Sequence, residues 1–274
     1  MARKIDTGSE NILAEVADGV AVITLNRPER KNAFSETMMS GLATALADVE
    51  YADDVRCVVL TGAGGAFCAG GDVKSFAEGG GAGAGSRSFD VGVHEQRRSH
   101  HATAGALFNM PKPTLAALPG AAAGAGLSLA LACDLRIAVD TAIMTTAFAK
   151  VGLAGDYGGT WFATQLVGPA RAKELYFLSD RIDMARAEAL GLVNRVVTAE
   201  EFDQEWRSLA ARLASGPPIA YRYMKENINR AVTGELATSL DLESTLHRTT
   251  GTTSDHRAAA QSFVDKVTPT FDGR

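Results

Sequence analysis

Two glycine-rich strings carry the clearest chemical signal in the chain: Phe67-Cys68-Ala69-Gly70-Gly71-Asp72 and Gly120-Ala121-Ala122-Ala123-Gly124-Ala125-Gly126. Each follows an apolar run and precedes residues that can start a helix. A helix start leaves backbone N–H groups without intrahelical partners, and glycine lets the chain turn with no side chain in the way. Two such donors aimed at one carbonyl oxygen make an oxyanion hole, which would stabilise the enolate of a thioester. A third string, Gly152-Leu153-Ala154-Gly155-Asp156-Tyr157-Gly158-Gly159-Thr160-Trp161, sets a carboxylate between an apolar stretch and another predicted helix start. Asp156 could move a proton there. As a base it needs surroundings that disfavour its ionised form, which desolvation among Phe148, Leu153, Tyr157 and Trp161 would supply. A helix N-terminus works the other way, and the plain structural role of an aspartate at that place is an N-cap.

Regular elements must hold these turns. Ile12, Ala14 and Val16 alternate before Asp18-Gly19, a favoured two-residue hairpin turn, and Val20 to Leu25 return along the other side. Pro28 stops that strand. Met38, Leu42, Leu46 and Val49 recur at helical spacing from Ser35, a candidate N-cap, to about Tyr51. Val55 to Thr61 is a short, β-branched run suited to a buried parallel strand. Strand, glycine turn and helix recur at Thr114 to Leu118 and Leu127 to Cys133, and Leu135 to Val139 reads as a further strand. That alternation predicts an α/β fold. From Ala199 onward the strand patterns stop, and helices are predicted over Phe202 to Leu213, Ala220 to Val232 and His256 to Val267, with Pro217-Pro218 between the first two. The reading divides the chain into an α/β core, 1–198, and a helical region, 199–274. Ala77 to Ser86 is nearly all Gly, Ala and Ser and is predicted to be mobile.

The composition of the 274 residues, 46% hydrophobic and 22% charged, suits a globular protein with a full core. A net charge of -5, with no row of Lys and Arg along any predicted helix, argues against nucleic acid as a partner. Cys57, Cys68 and Cys133 are odd in number and set in apolar sequence, so they read as buried thiols of a reducing compartment, not as metal ligands. Polar residues follow Met1-Ala2-Arg3-Lys4, and no apolar run reaches the ~18 residues of a membrane span. The expectation is a cytoplasmic protein with no membrane partner. The dinucleotide fingerprint fails because Phe67 stands where Gly62 and Gly64 would need a third glycine, and no Walker pattern occurs. Gly126-Leu127-Ser128-Leu129-Ala130 approaches the nucleophile elbow of acyl hydrolases, but Ala130 replaces its second glycine and the preceding strand ends too early.

Leu25-Asn26-Arg27-Pro28, Lys31-Asn32-Ala33, Val59-Leu60-Thr61-Gly62, Phe67 to Val73, Ala132-Cys133-Asp134, Val151-Gly152-Leu153, Gly158-Gly159-Thr160, Ala187 to Val197 and Phe263-Val264-Asp265-Lys266 follow one another in an order that resembles the enoyl-CoA hydratase/isomerase (crotonase) superfamily. The resemblance covers nearly the whole chain. It implies a crotonase-like (ClpP/crotonase) spiral of ββα units, and a C-terminal helical region that drives trimerisation and completes the CoA site. It also implies a homotrimer or dimer of trimers and an acyl-CoA substrate, with no metal and no cofactor beyond the CoA thioester. Its oxyanion donors would be the backbone N–H groups of Gly71 and Ala125, the latter at a position more often glycine. CoA contacts would fall on Ala69, Asp72 and Val73 around the adenine, on Arg30 and Lys31 near the phosphates or pantetheine, and on Phe263 and Lys266.

Departures from the family pattern decide the expected chemistry. Where the hydratases resemble one another in two glutamates that handle water, this chain has Ser128 and Phe148. Neither is a general acid or base. Asp156 matches the catalytic aspartate position of the dienoyl-CoA isomerases, 1,2-epoxyphenylacetyl-CoA isomerase and the 4-chlorobenzoyl-CoA dehalogenases, and the string with Trp161 is nearest the second. The resemblance therefore implies an isomerase with Asp156 as base, and with Phe148 and Trp161 lining the acyl site. Its rivals are a hydratase working by another route, a catalytically silent acyl-CoA-binding protein, and a dehalogenase-like enzyme with Asp156 as nucleophile. The last requires a nearby histidine, whereas His94, His100 and His101 read as ordinary surface residues.

Overall fold

Alternating side chains build the first layer. In the computed structural model, which describes residues 2–78 and 88–274, the strands are β1 (Arg3–Lys4), β2 (Ile12–Ala17), β3 (Val20–Leu25), β4 (Cys57–Gly62), β5 (Thr114–Leu118), β6 (Ala122–Ala123), β7 (Leu135–Val139), β8 (Ile143–Thr145), β9 (Ile182–Asp183) and β10 (Arg195–Val197). Asp18 and Gly19, both with positive φ, form the hairpin turn that pairs β2 with β3. The main sheet runs β1-β2-β3-β4-β5-β7-β10; its first two pairings are antiparallel and the rest parallel. Its central strands β4 and β5 are buried almost throughout, as their unbroken apolar runs require. A second, short sheet, β6-β8-β9, stands beside it and has no counterpart in the sequence reading. Of the string predicted to be mobile, Ala77 and Glu78 are described, and 79–86 lie outside the described residues.

The helices are α1 (Glu36–Glu50), α2 (Val73–Ala77), α3 (Phe89–His100), α4 (Ala106–Asn109), α5 (Ala125–Ala132), α6 (Gly159–Leu178), α7 (Met184–Ala189), α8 (Phe202–Ala214), α9 (Pro218–Ala231), α10 (Leu236–Gly251) and α11 (Ser254–Asp265). Ser35 caps α1 by accepting a hydrogen bond from the Met38 N–H, and Met38, Leu42, Leu46 and Val49 form its buried face. A wider π turn, His101–Gly105, joins α3 to α4. Helix α5 is apolar on every side and wholly buried. Helix α8 packs back across β3, β4 and β7 through Phe202, Trp206, Ala210 and Ala214, whereas α9, α10 and α11 stack on one another.

Polar contacts tie this C-terminal part down. Lys225 of α9 donates to Asp134 at 2.8 Å. The buried carboxylate of Asp255 accepts the N–H groups of Asp272 and Gly273 at 2.7 and 3.0 Å, and Arg56 donates to Phe271 O at 2.6 Å. Cys57, Cys68 and Cys133 are buried and unbridged. Among the described residues no helix is long and apolar enough to cross a membrane.

Candidate active site

The two glycine turns meet. Phe67 and Cys68 donate their N–H groups to Ala121 O, and Ala123 donates to Cys68 O at 2.8 Å, so the turns pair like a fragment of parallel sheet. Close approach fixes the glycines. A Cβ on Gly70, whose φ is +81°, would lie 2.6 Å from Ala123 O and 3.0 Å from Ala125 N, and one on Gly126 would lie 2.6 Å from Cys68 O. Gly124, at φ +52°, caps α5 and leaves Ala125 as its first residue. Neither the Gly71 N–H nor the Ala125 N–H donates to another group among the described residues.

A third loop supports the first of these turns. Asn32, fully buried, donates to Ala63 O, Ala66 O and Phe67 O and accepts the Arg27 N–H at 2.8 Å. Ala69 N–H donates to Lys31 O at 2.9 Å, and Phe34 N–H to Gly70 O at 2.7 Å. Exposed Arg30 and Lys31 therefore stand beside Ala69, Asp72 and Val73, while the Asp72 carboxylate holds Arg27 at 3.2 Å. Phe263 and Lys266 are elsewhere. Phe263 is 86% exposed on α11, which packs on α10, and Lys266 ends that helix.

Asp156 differs from the sequence expectation in two respects. Its carboxylate caps no helix: Gly158 occupies the cap of α6 and contributes no side chain, and Asp156 Oδ1 accepts the neighbouring Tyr157 N–H at 3.1 Å. Nor is it walled by apolar groups. Leu153 is half exposed, and Trp161 packs edge-on against Phe108 and Phe162. Polar partners come from α3 instead. Gln96 Nε2 donates to Oδ1 at 3.1 Å, and His100 Nε2 lies 2.5 Å from the same atom but out of line with its own N–H, so it is a close contact and not a directed hydrogen bond. Oδ2 has no partner among the described residues. Tyr157, at φ +49°, packs against the His100 ring at a tilt of 48° and meets Phe34 edge-on at 5.2 Å, which joins this turn to the Gly70 loop. Burial pushes its phenol up to about 12.

Ser128 and Phe148 close the other side. Ser128 Oγ donates to Gly124 O at 3.3 Å, a bond within its own helix, and Phe148 stacks parallel to Tyr176 at 5.9 Å. A Cβ on Gly159 would collide with both Ser128 Oγ and the Tyr176 hydroxyl, so this corner is filled. Burial raises the Tyr176 phenol. Among the described residues no general base touches Ser128, so its hydroxyl lacks the activation a serine nucleophile needs.

Sequence reasoning missed Gln96 and the role of Asn32, and its reading of His100 as an ordinary surface residue is corrected by that side chain's contacts with Asp156 and Tyr157. Gln96 and His100 lie four residues apart on one helix face, but their partner is far along the chain and no local pattern announces it.

The family model described as Enoyl-CoA hydratase/isomerase matches residues 15–274. The chain is 38% identical over 272 residues to a protein of Escherichia coli (strain K12) named 1,2-epoxyphenylacetyl-CoA isomerase, covering 97% of this chain and 99% of that one. It is also 38% identical over 260 residues to a protein of Rhodobacter capsulatus named "Probable enoyl-CoA hydratase", covering 95% and 97%. The crystal structure of an enoyl-CoA hydratase from Bacillus anthracis superposes with a TM-score of 0.88 at 32% identity, covering 97% of this chain and 100% of that one.

Proposed function

Because the chain belongs to the enoyl-CoA hydratase/isomerase family, we propose that it is an enoyl-CoA isomerase that uses Asp156 as its single base. In the proposed reaction Asp156 Oδ2 removes the proton between the carbonyl and the double bond of a 3-enoyl-CoA. The electron pair moves onto the thioester oxygen, where the Gly71 and Ala125 N–H groups hold the dienolate. Asp156 then returns the proton to the far carbon and gives the 2-enoyl-CoA. This is proton transfer alone, and it calls for no metal or redox cofactor.

The uneven surroundings of the carboxylate carry the reading: Oδ1 is taken by Gln96, His100 and the Tyr157 N–H, and Oδ2 is left to meet substrate. Ser128 and the stacked Phe148 supply no second carboxylate to activate water, which favours isomerisation over hydration. Arg30 and Lys31 suit the CoA phosphates. Phe263 and Lys266 would then serve the site of another copy in a homotrimer or dimer of trimers. The same parts suit a ring-forming rearrangement of an epoxide-bearing aromatic acyl-CoA, a reading favoured by the name of the Escherichia coli relative.

The test is a panel of 2-enoyl-, 3-enoyl- and epoxide-bearing aryl-acetyl-CoA thioesters assayed by mass and ultraviolet spectrum. Isomerisation leaves mass unchanged and hydration adds a water. Asp156→Asn should lower kcat about 100-fold or more, with CoA-thioester binding kept. Full activity in that variant would end the assignment.

A further inference from the structure

We propose that α3 is a clamp on the catalytic turn, with Gln96 and His100 as positioning residues that aim Asp156 Oδ2 at the substrate; this rests on the assignment of Asp156 as the base. Residues 96, 99 and 100 share one face of the helix. From that face Gln96 and His100 reach Asp156, while Ser99 and His100 reach Tyr157, through its hydroxyl at 3.2 Å and its ring at a centroid distance of 4.3 Å. A single turn of helix thus holds two consecutive residues at four points. The second of them sits in the left-handed region that a non-glycine residue adopts only when its surroundings impose it.

Packing alone does not account for this helix. None of the α3 side chains is fully buried, so its polar contacts to Asp156 and Tyr157 weigh more in fixing it than they would in a core helix. The π turn that begins at His101 widens the backbone directly after His100 and sets the angle at which the gripping face meets the catalytic turn. Two donors, Gln96 and the Tyr157 N–H, converge on Oδ1, and His100 Nε2 lies against the same atom. A carboxylate held by one oxygen presents the other in a fixed direction, and misplacing a reacting group by about 1 Å costs about 100-fold in rate.

Gln96→Met removes the amide donor at similar shape, and His100→Phe keeps the ring against Tyr157 while removing its nitrogens. Each should lower kcat for the 3-enoyl-CoA about tenfold, with KM changed less than about twofold. His100→Gln places an N–H at the same reach and should recover most of the loss. On an Asp156→Asn background neither variant should lower the residual rate further, because both act through that carboxylate. Unchanged kcat in both variants, or losses of the same size on the Asp156→Asn background, would overturn the clamp. If Asp156→Asn alone keeps full activity, the base assignment fails instead. The clamp is then judged by the crystal structure of the Gln96→Met/His100→Phe double variant: a carboxylate in several orientations supports it, and one fixed as in the parent refutes it.

Discussion

Asn32 has no exposure to water, and its side chain is wholly engaged by neighbouring loops: three carbonyls accept from its Nδ2 and one N–H donates to its Oδ1. Asn32→Asp would turn that nitrogen into an oxygen facing Ala63 O, Ala66 O and Phe67 O. Acceptors would then oppose acceptors in a buried place, at a cost of about 2–5 kcal/mol. A melting experiment should register the loss, and kcat/KM should fall in whatever protein stays folded, since the Gly71 N–H lies on the loop that Asn32 holds. The glycines and Asp156 were legible in the sequence because each announces itself locally, by a turn that needs no side chain or by a lone acid among apolar residues. Asn32 was visible only as part of a string, Gln96 not at all, and His100 only as an ordinary surface histidine, which its place against Asp156 and Tyr157 overturns. Their meaning depends on a partner brought close by the fold.

Among the elements, β2 to β5, β7 and α1 followed from their sequence patterns, and α5 from its position after a glycine turn, whereas β1, β6, β8, β9 and β10 did not. Helix α10 did not. Its run from Leu236 is rich in Ser and Thr, with Leu246 its sole buried residue, so no apolar stripe marks it before α9 and α11 are in place. The tail past α11 is held by hydrogen bonds and not by an apolar face. Asp255→Ala would leave the Asp272 and Gly273 N–H groups unpaired and cost about 1–3 kcal/mol. Hydrogen exchange at those two amides should accelerate well beyond the change in the β4 and β5 amides, and equal acceleration everywhere would contradict a local clasp.

For the molecule as a whole, the buried thiols set a limit at high pH. Burial pushes Cys57, Cys68 and Cys133 up to about 12 in the folded chain, against 9.0 when free, and Tyr157 moves in the same direction. Groups raised in this way contribute stability that is present below the free value and lost as pH rises toward the folded one. Lys112, lowered to about 8 by burial, works oppositely over part of that range but is a single group. Stability should therefore fall between about pH 9 and 12, and urea midpoints across that range would show it; Cys57→Ser should flatten the fall. At the same scale, Met224, Ile228, Leu236 and Leu240 expose more than half their surface on α9 and α10. Patches of this kind mark contact faces. Light scattering should give the mass of three or six chains, and Ile228→Glu should release smaller species.

The pairing of Cys68 with Ala122 and Ala123 has a kinetic implication. Since the segments bearing the two amides are stitched to each other, neither can be tuned alone, and an incoming acyl group finds a receptor already at its final dimensions. Preferences among acyl groups must then originate elsewhere in the wall, and structures with and without ligand should superpose at the Cys68 to Gly126 contact.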